Sequence, residues 1–541
     1  MHRRQFLQQT VMGGAALATG SPAPAQTPLA REQERVASAT LATGDEVVER
    51  SVDDLRHSLE SGQLTSRALT QTYLRRIDAI DRQGAALNSV IELNPDALDI
   101  AERLDTERKA GRVRGPLHGI PVLIKDNIDT ADRMKTTAGS LALVDAHPLL
   151  DAGIVTRLRD AGAVLLGKTN LSEWANFRSE HSTSGWSARG GLTRNPYALD
   201  RNGCGSSTGS GAATAASLCA IAVGTETDGS IICPSSRNGL VGIKPTVGLV
   251  SRGGIIPISA TQDTAGPMAR TVADAAALLQ VLAGPDTRDA ATKGQTLAKD
   301  YREYLQVDAL QGKRIGVMRN FFGFDPRVDA LMEDAIKAIE AAGATIVEKT
   351  NLPTRGQFGD AEYEVLLYEF KAGVEAYLAT LGPSAPIRTL ADLIAFNEAH
   401  AKEEMPHFGQ DIFLKAEAKG TLADKAYLAA KAKARRLSRT EGLDLVFATK
   451  KVDALLAPSG GPAWLTDLVN GNYGTGGSSG PAAVSGYPSI TVPAGFVRGL
   501  PVGVSFIGPA WSEGRLIGIA HAYEQRTKWR RPPQYLPSAL V

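Results

Sequence analysis

Residues 201–234 read RNGCGSSTGSGAATAASLCAIAVGTETDGSIICP, and the fold and chemistry of the chain turn on this stretch. It places two glycine-flanked serines, Ser206 and Ser230, at either end of an alanine-rich run with no proline until the last residue. The run predicts a buried helix with one serine turn at its entrance and another past its exit. Gly and Ser let a backbone bend sharply and bring its N–H groups up to a ligand, and a serine hydroxyl becomes a nucleophile once a base removes its proton. A flexible Gly/Ser linker is the competing reading, but linkers do not run directly into Ala/Leu/Ile/Val sequence.

Three cysteines, Cys204, Cys219 and Cys233, fall in the same stretch. An odd count without Cys/His ligand spacing argues against a zinc site and against a structural disulfide framework. Cys204 and Cys233 then read as small buried residues lining the site, with a nucleophilic thiol as the alternative. Upstream, the apolar run Val122-Leu123-Ile124 leads into Lys125. A lysine drawn inside at a strand end loses hydration, and its pKa can fall far enough to make it a base near neutral pH. Pairing of Lys125 with Asp126 or another carboxylate is the other reading of this segment.

Further out, helical and strand patterns alternate. Leu69, Tyr73, Ile77 and Ile80 mark an amphipathic helix capped by Thr65 or Ser66. Strands are expected at 89–93, 163–166, 314–317, 344–347, 454–456, 489–493 and 502–507, with helices at 272–282, 328–341 and 516–523. This rhythm predicts an α/β domain with a central mixed β-sheet covered by helices. Residues 354–444 are more charged and helical, a helical excursion that borders the site.

The N-terminal residues 1–25 read as a twin-arginine export signal: His2-Arg3-Arg4-Gln5-Phe6-Leu7, a short apolar region, and the small-x-small pattern Ala23-Pro24-Ala25. Its apolar run is far shorter than the ~20 residues a spanning helix needs. The expectation is a periplasmic or secreted protein without stable membrane insertion, with a polar segment over 26–49 and one domain over 50–535. The formal charge of +1, from 59 basic and 58 acidic residues, leaves no footprint for nucleic acid. No cofactor or metal is expected, and the partner should be a small-molecule or peptide substrate.

Familiar motifs do not account for the serines. Gly205-Ser206-Ser207-Thr208-Gly209 has the form G-x-S-x-G, which would make Ser207 a nucleophile. The residues before it, 192–202, contain Asn-Pro and many polar groups instead of a strand, and His400, His407 and His521 lie in ordinary helix or loop sequence. A phosphate-binding loop fails because no Gly-Lys-Ser/Thr follows.

What remains is a serine activated without histidine, and here the chain resembles the amidase signature family. The resemblance runs from about residue 52 to 523. It rests on PLHGIPVLIKDNID at 116–129, AGAVLLGKTN at 161–170, the serine stretch, GLVGIKPTVGLVSRGG at 239–254, DTAGPMARTVADAA at 263–276 and SGYPSITVPAG at 485–495. It implies a Ser-cisSer-Lys triad with Lys125 as base, Ser206 as the cis-serine and Ser230 as nucleophile. Backbone N–H groups of Thr227, Asp228, Gly229 and Ser230 would form the oxyanion hole, with Ser207 and Asp228 close to substrate.

The chain departs from the family pattern at Glu226, where an Asp is usual, at Asp228-Gly229 in place of Gly-Gly, and at Ile232 in place of Arg. With these variants it resembles the peptide amidase branch, which implies hydrolysis of peptide C-terminal amides or related carboxamides through an acyl-enzyme, with release of ammonia. Hydrolysis of small aliphatic or aryl amides is the alternative. A glutamine-dependent amidotransferase subunit and a non-catalytic peptide-binding protein are rival classes; export and near-neutral charge weigh against the first, and three filled triad positions against the second.

Overall fold

The computed structural model describes residues 45–382 and 385–540, so the export signal and nearly all of the polar segment lie outside the described residues. An eleven-stranded mixed sheet forms the centre. In chain order its strands are β1 (Val90–Leu93), β2 (Pro121–Lys125), β3 (Val164–Thr169), β4 (Ile221–Glu226), β5 (Val241–Lys244) and β6 (Thr264–Ala269). They continue with β7 (Arg314–Val317), β8 (Thr345–Val347), β9 (Ala454–Pro458), β10 (Ser489–Val497) and β11 (Leu500–Ile507). The spatial order is β1-β3-β2-β4-β6-β5-β10-β11-β9-β7-β8. This is the expected α/β architecture, a single domain with a large mixed sheet covered by helices.

Register explains where chemistry can sit. β2 runs parallel to β4, with Leu123 opposite Ala222, so Lys125 and Thr225 reach the same end of the sheet. β6 is antiparallel to β4, pairing Thr264 with Glu226, so its first residues start at that end. Strand ends and the loops beyond them are where a rigid sheet presents functional groups.

The covering helices follow from their sequences. Val272–Leu282 is buried almost all round, as its Ala/Leu/Val composition requires, and the Thr271 side chain caps it by accepting from Asp274 N–H. Pro326–Ala341 opens with Pro at its first turn behind an Asp325 cap. Residues 359–450 hold Gly359–Ala379, Leu390–Ala399, Asp411–Glu417, Lys425–Arg435 and Asp444–Lys450. A second apolar cluster, including Phe370, Val374, Leu390, Leu393 and Phe413, packs this region on Trp174, Phe177, Ile256 and Ile258.

The alanine-rich run corrects the sequence reading. It is not one helix. α1 (Thr208–Ala215) stops at Ala216, Ser217 adopts a left-handed φ of 53°, and the chain then forms β4. The run from Ala212 to Val223, whose only polar residues are Thr214 and Ser217, carries no periodicity that separates helix from strand, and the β-branched Ile221, Val223 and Thr225 favour the sheet once neighbours exist on both sides. Gly209 is needed where α1 crosses the end of β3: its N–H donates to Asn170 O at 3.0 Å, and an added Cβ would strike Asn170 and Ser89 backbone.

A second correction concerns the cysteines. Cys204 and Cys233 form a disulfide with Cα atoms 5.9 Å apart, while Cys219 is free and buried. Neither cysteine of the pair is therefore a nucleophilic thiol. An odd count left one cysteine unpaired; it did not exclude one bridge, whose partners only the tertiary fold brings together.

Candidate active site

Lys125 ends β2 with no exposed surface. Its Nζ donates to Ser206 Oγ at 2.7 Å, Thr225 Oγ1 at 2.8 Å and Thr225 O at 3.3 Å. No carboxylate among the described residues lies within ion-pair distance of it. Asp126 turns instead to Thr137, Gly139 and Arg189, which removes the strand-end ion pair as a reading. Burial lowers the Lys125 pKa to about 7, the charges of Asp263 and Glu226 opposing the shift. A lysine in this state has a neutral fraction able to accept a proton at physiological pH.

Ser206 follows a cis peptide bond from Gly205. Its carbonyl accepts from Ser172 N–H at 3.0 Å, and the next N–H, of Ser207, donates to Ser230 O at 3.2 Å. That bond and the Cys204–Cys233 disulfide tie the two serine turns together from both flanks. The Ser207 hydroxyl is spent on β4, donating to Thr225 O at 3.0 Å and accepting from Thr225 N–H at 3.2 Å. It is engaged with backbone and has no histidine beside it. His400 stacks on Phe396, His407 contacts Trp186 and His521 faces Glu524.

Ser230 sits between β4 and α2 (Ile232–Arg237), is 7% exposed, and its hydroxyl has no hydrogen-bond partner among the described residues. Gly229 before it has a φ of +76°, and Cys233 N–H returns to Gly229 O at 2.7 Å. The backbone N–H groups of Thr227, Asp228, Gly229 and Ser230 carry no acceptor among the described residues, leaving a run of free donors. Glu226 accepts from Ile231 and Ile232 N–H at 2.7 and 2.9 Å, and so holds the helix start just past the turn. Thr227 Oγ1 donates to Asp263 Oδ1 at 2.6 Å, and Asp263 also accepts from Ile258 and Ser259 N–H, both at 2.8 Å.

A cleft of about 180 Å³ opens beside this arrangement, lined among others by Asn127, Thr225, Thr227, Ile256, Pro257 and Ala175. Lys125, Ser206 and Ser230 are not among its lining residues; Thr225 and Thr227 are the link between it and them. Glu369 of α3 (Gly359–Ala379) fixes its wall by accepting from Ser259 Oγ at 2.6 Å and from Thr261 N–H and Oγ1, each at 3.0 Å. Thr225, Asp263 and Glu369 were not singled out in the sequence. Thr225 and Asp263 had a local signal, lying in quoted stretches, and Glu369 had none. Among the described residues, no group of three or more His, Cys, Asp or Glu is placed to hold a metal, and no helix is long and apolar enough to cross a membrane.

A mixed sheet that brings a buried lysine and two serine turns to one end defines a class of histidine-free serine amide hydrolase, and the comparisons agree. The Amidase family profile matches residues 68–517. A probable amidase of Arabidopsis thaliana is 42% identical over 501 residues, 91% of this chain and 92% of that one. The native peptide amidase from Stenotrophomonas maltophilia superposes with a TM-score of 0.86 at 54% identity, covering 90% of this chain and 99% of its own. The peptide amidase in complex with the competitive inhibitor chymostatin gives 0.87 at 55%, with the same coverage. The chain belongs to the amidase signature family and is an amide C–N hydrolase.

Proposed function

We propose that this enzyme removes the C-terminal amide of peptides, with Ser230 as nucleophile, Ser206 as proton relay and Lys125 as base. The observation that carries the catalytic part is the contact between buried Lys125 and Ser206 in a turn tied to the Ser230 carbonyl. Neutral Lys125 takes the Ser206 proton while Ser206 takes that of Ser230, and Ser230 Oγ attacks the carboxamide carbon. The free N–H groups of 227–230 stabilise the oxyanion; losing one such donor costs ~3 kcal/mol. Protons return through the relay to the leaving nitrogen, ammonia departs, and water resolves the acyl-enzyme to the acid.

Likeness to peptide amidases and an apolar cleft wall at Ile255, Ile256, Pro257 and Ile258 support a peptide rather than a small aliphatic amide. The enzyme acts outside the cytoplasm, directed there by a twin-arginine signal in its first 25 residues. The Cys204–Cys233 bridge supports this placement, since disulfides persist in oxidising compartments. The test is ammonia release from N-acylated dipeptide amides and from simple aliphatic and aryl amides, with Ser230→Ala in parallel. The proposal expects the peptide amides to be turned over best and the variant to be inactive; preference for small or aryl amides would overturn the substrate assignment.

A further inference from the structure

Asp228 stands two residues before Ser230 in the same turn, and its side chain is exposed to solvent. The structural duties of the turn are met by others: Glu226 holds the start of α2, and Asp263 holds Thr227. Two distant elements nevertheless converge on Asp228. Ser479 and Glu362 of α3 stand close enough to its carboxyl to act on its charge. Gln262 positions Glu362, its Nε2 donating to Glu362 Oε1 at 2.9 Å and reaching Thr227 O at 3.3 Å. Gly480 lies against the same carboxyl, a Cβ there standing at an ordinary contact of 3.5 Å from Asp228 Oδ2.

Two facing carboxyls cannot both ionise cheaply. Although Asp228 is wet, the protein around it removes enough water to raise its pKa; burial raises Glu362 as well, and the neighbouring Asp228 charge adds to that rise. Glu362 is raised further than Asp228, so the proton of the pair rests on Glu362 and Asp228 carries the charge. Lys244, whose charge acts on Asp228, gives its hydrogen bond to Pro245 O at 3.0 Å. No cation among the described residues forms an ion pair with Asp228.

A lone anion beside an oxyanion hole opposes the negative charge that catalysis must stabilise. An unpaired carboxylate at this place in the turn calls for a compensating role in recognition. We propose that Asp228 is the specificity-determining charge of the site: it accepts a hydrogen bond from the NH₂ of a neutral carboxamide terminus and repels a terminal carboxylate. The site then admits peptide amides and rejects peptide acids, including its own product. Both effects act in one direction, because a carboxylate offers no N–H and adds a like charge. The inference rests on the peptide-amide reading above.

Binding to the Ser230→Ala protein separates the two. Calorimetry at neutral pH with an N-acetyl dipeptide amide and the matching acid should show the amide bound more tightly. Adding Asp228→Asn should narrow that preference by about tenfold, mainly by strengthening acid binding, while Asp228→Glu should preserve it. An unchanged preference in Asp228→Asn overturns the role of Asp228 and leaves the peptide reading standing. Binding of neither ligand to Ser230→Ala overturns the peptide reading and the inference with it. Wild-type enzyme gives a measurement independent of folding: a peptide alcohol should inhibit about tenfold more strongly than the peptide acid of the same sequence, and equal inhibition would contradict the charge assignment.

Discussion

The three residues at the centre make different demands, and each gives its own expectation. Ser230→Ala and Ser206→Ala should each lower kcat by about a thousandfold or more while leaving the thermal transition nearly in place, since neither hydroxyl supports the core. Lys125 fixes the pH dependence. With its neutral form as the proposed base, kcat/KM should rise about tenfold per pH unit below about 7 and level off above it.

The same shift has a stability consequence of opposite sign to that of an ion pair. The folded pKa lies below the ordinary 10.5, so the unfolded chain binds the extra proton between these values. Burial of Lys125 therefore costs stability in full below about pH 7, and the cost fades as pH rises toward 10.5. Lys125→Met should be inactive yet more resistant to denaturant at pH 7, and comparing midpoints at pH 7 and 10 checks the sign. Lys125, Ser206 and Ser230 could be named from the chain because they sit in short motifs. Glu362 and Ser479 could not, because they reach Asp228 from segments more than a hundred residues away.

At the scale of elements, the serine stretch is a strand-turn-helix assembly locked by one bridge. Cys204 and Cys233 close a loop with a sequence separation of 29, for which chain entropy gives about 2–4 kcal/mol. The paired change Cys204→Ala/Cys233→Ala should lower unfolding free energy by that amount in urea titration, and reductant should lower the wild-type midpoint similarly. Gly229→Ala should reduce kcat more than stability: the positive φ strains any side chain, and a Cβ would approach Ser479 Oγ at 3.1 Å.

Legibility at this scale followed the physics of each segment. Helix 272–282 and strand 314–317 carry strong local patterns, and the structure has both at those bounds. The run from Ala212 to Val223 holds apolar residues at every spacing, and sheet pairing decided what propensity could not. The short strand Ala198–Asn202, polar and twisted against Arg194–Asn195, left no alternation to read.

At the scale of the molecule, the eleven-stranded sheet fixes the catalytic end, and the helices of 359–450 complete the cleft. Composition and βα rhythm were enough for the fold class, because most of the sheet strands and their covering helices announce their own period. The cleft wall was not legible, since Glu369 and the loop 255–263 meet only through the packing of α3 on the sheet domain. Glu369→Ala should free that wall and raise KM for peptide amides several-fold with a smaller change in kcat, which steady-state kinetics will separate.

The most direct measurement of the central claim, an acyl-enzyme formed on Ser230, is partitioning with hydroxylamine. A peptide amide and the methyl ester of the same acyl group are turned over in its presence, and hydroxamate and acid are quantified. A common acyl-enzyme predicts the same ratio of hydroxamate to acid from both substrates, with neither product formed by Ser230→Ala. A ratio that changes with the leaving group, or turnover that survives the loss of Ser230, would contradict it.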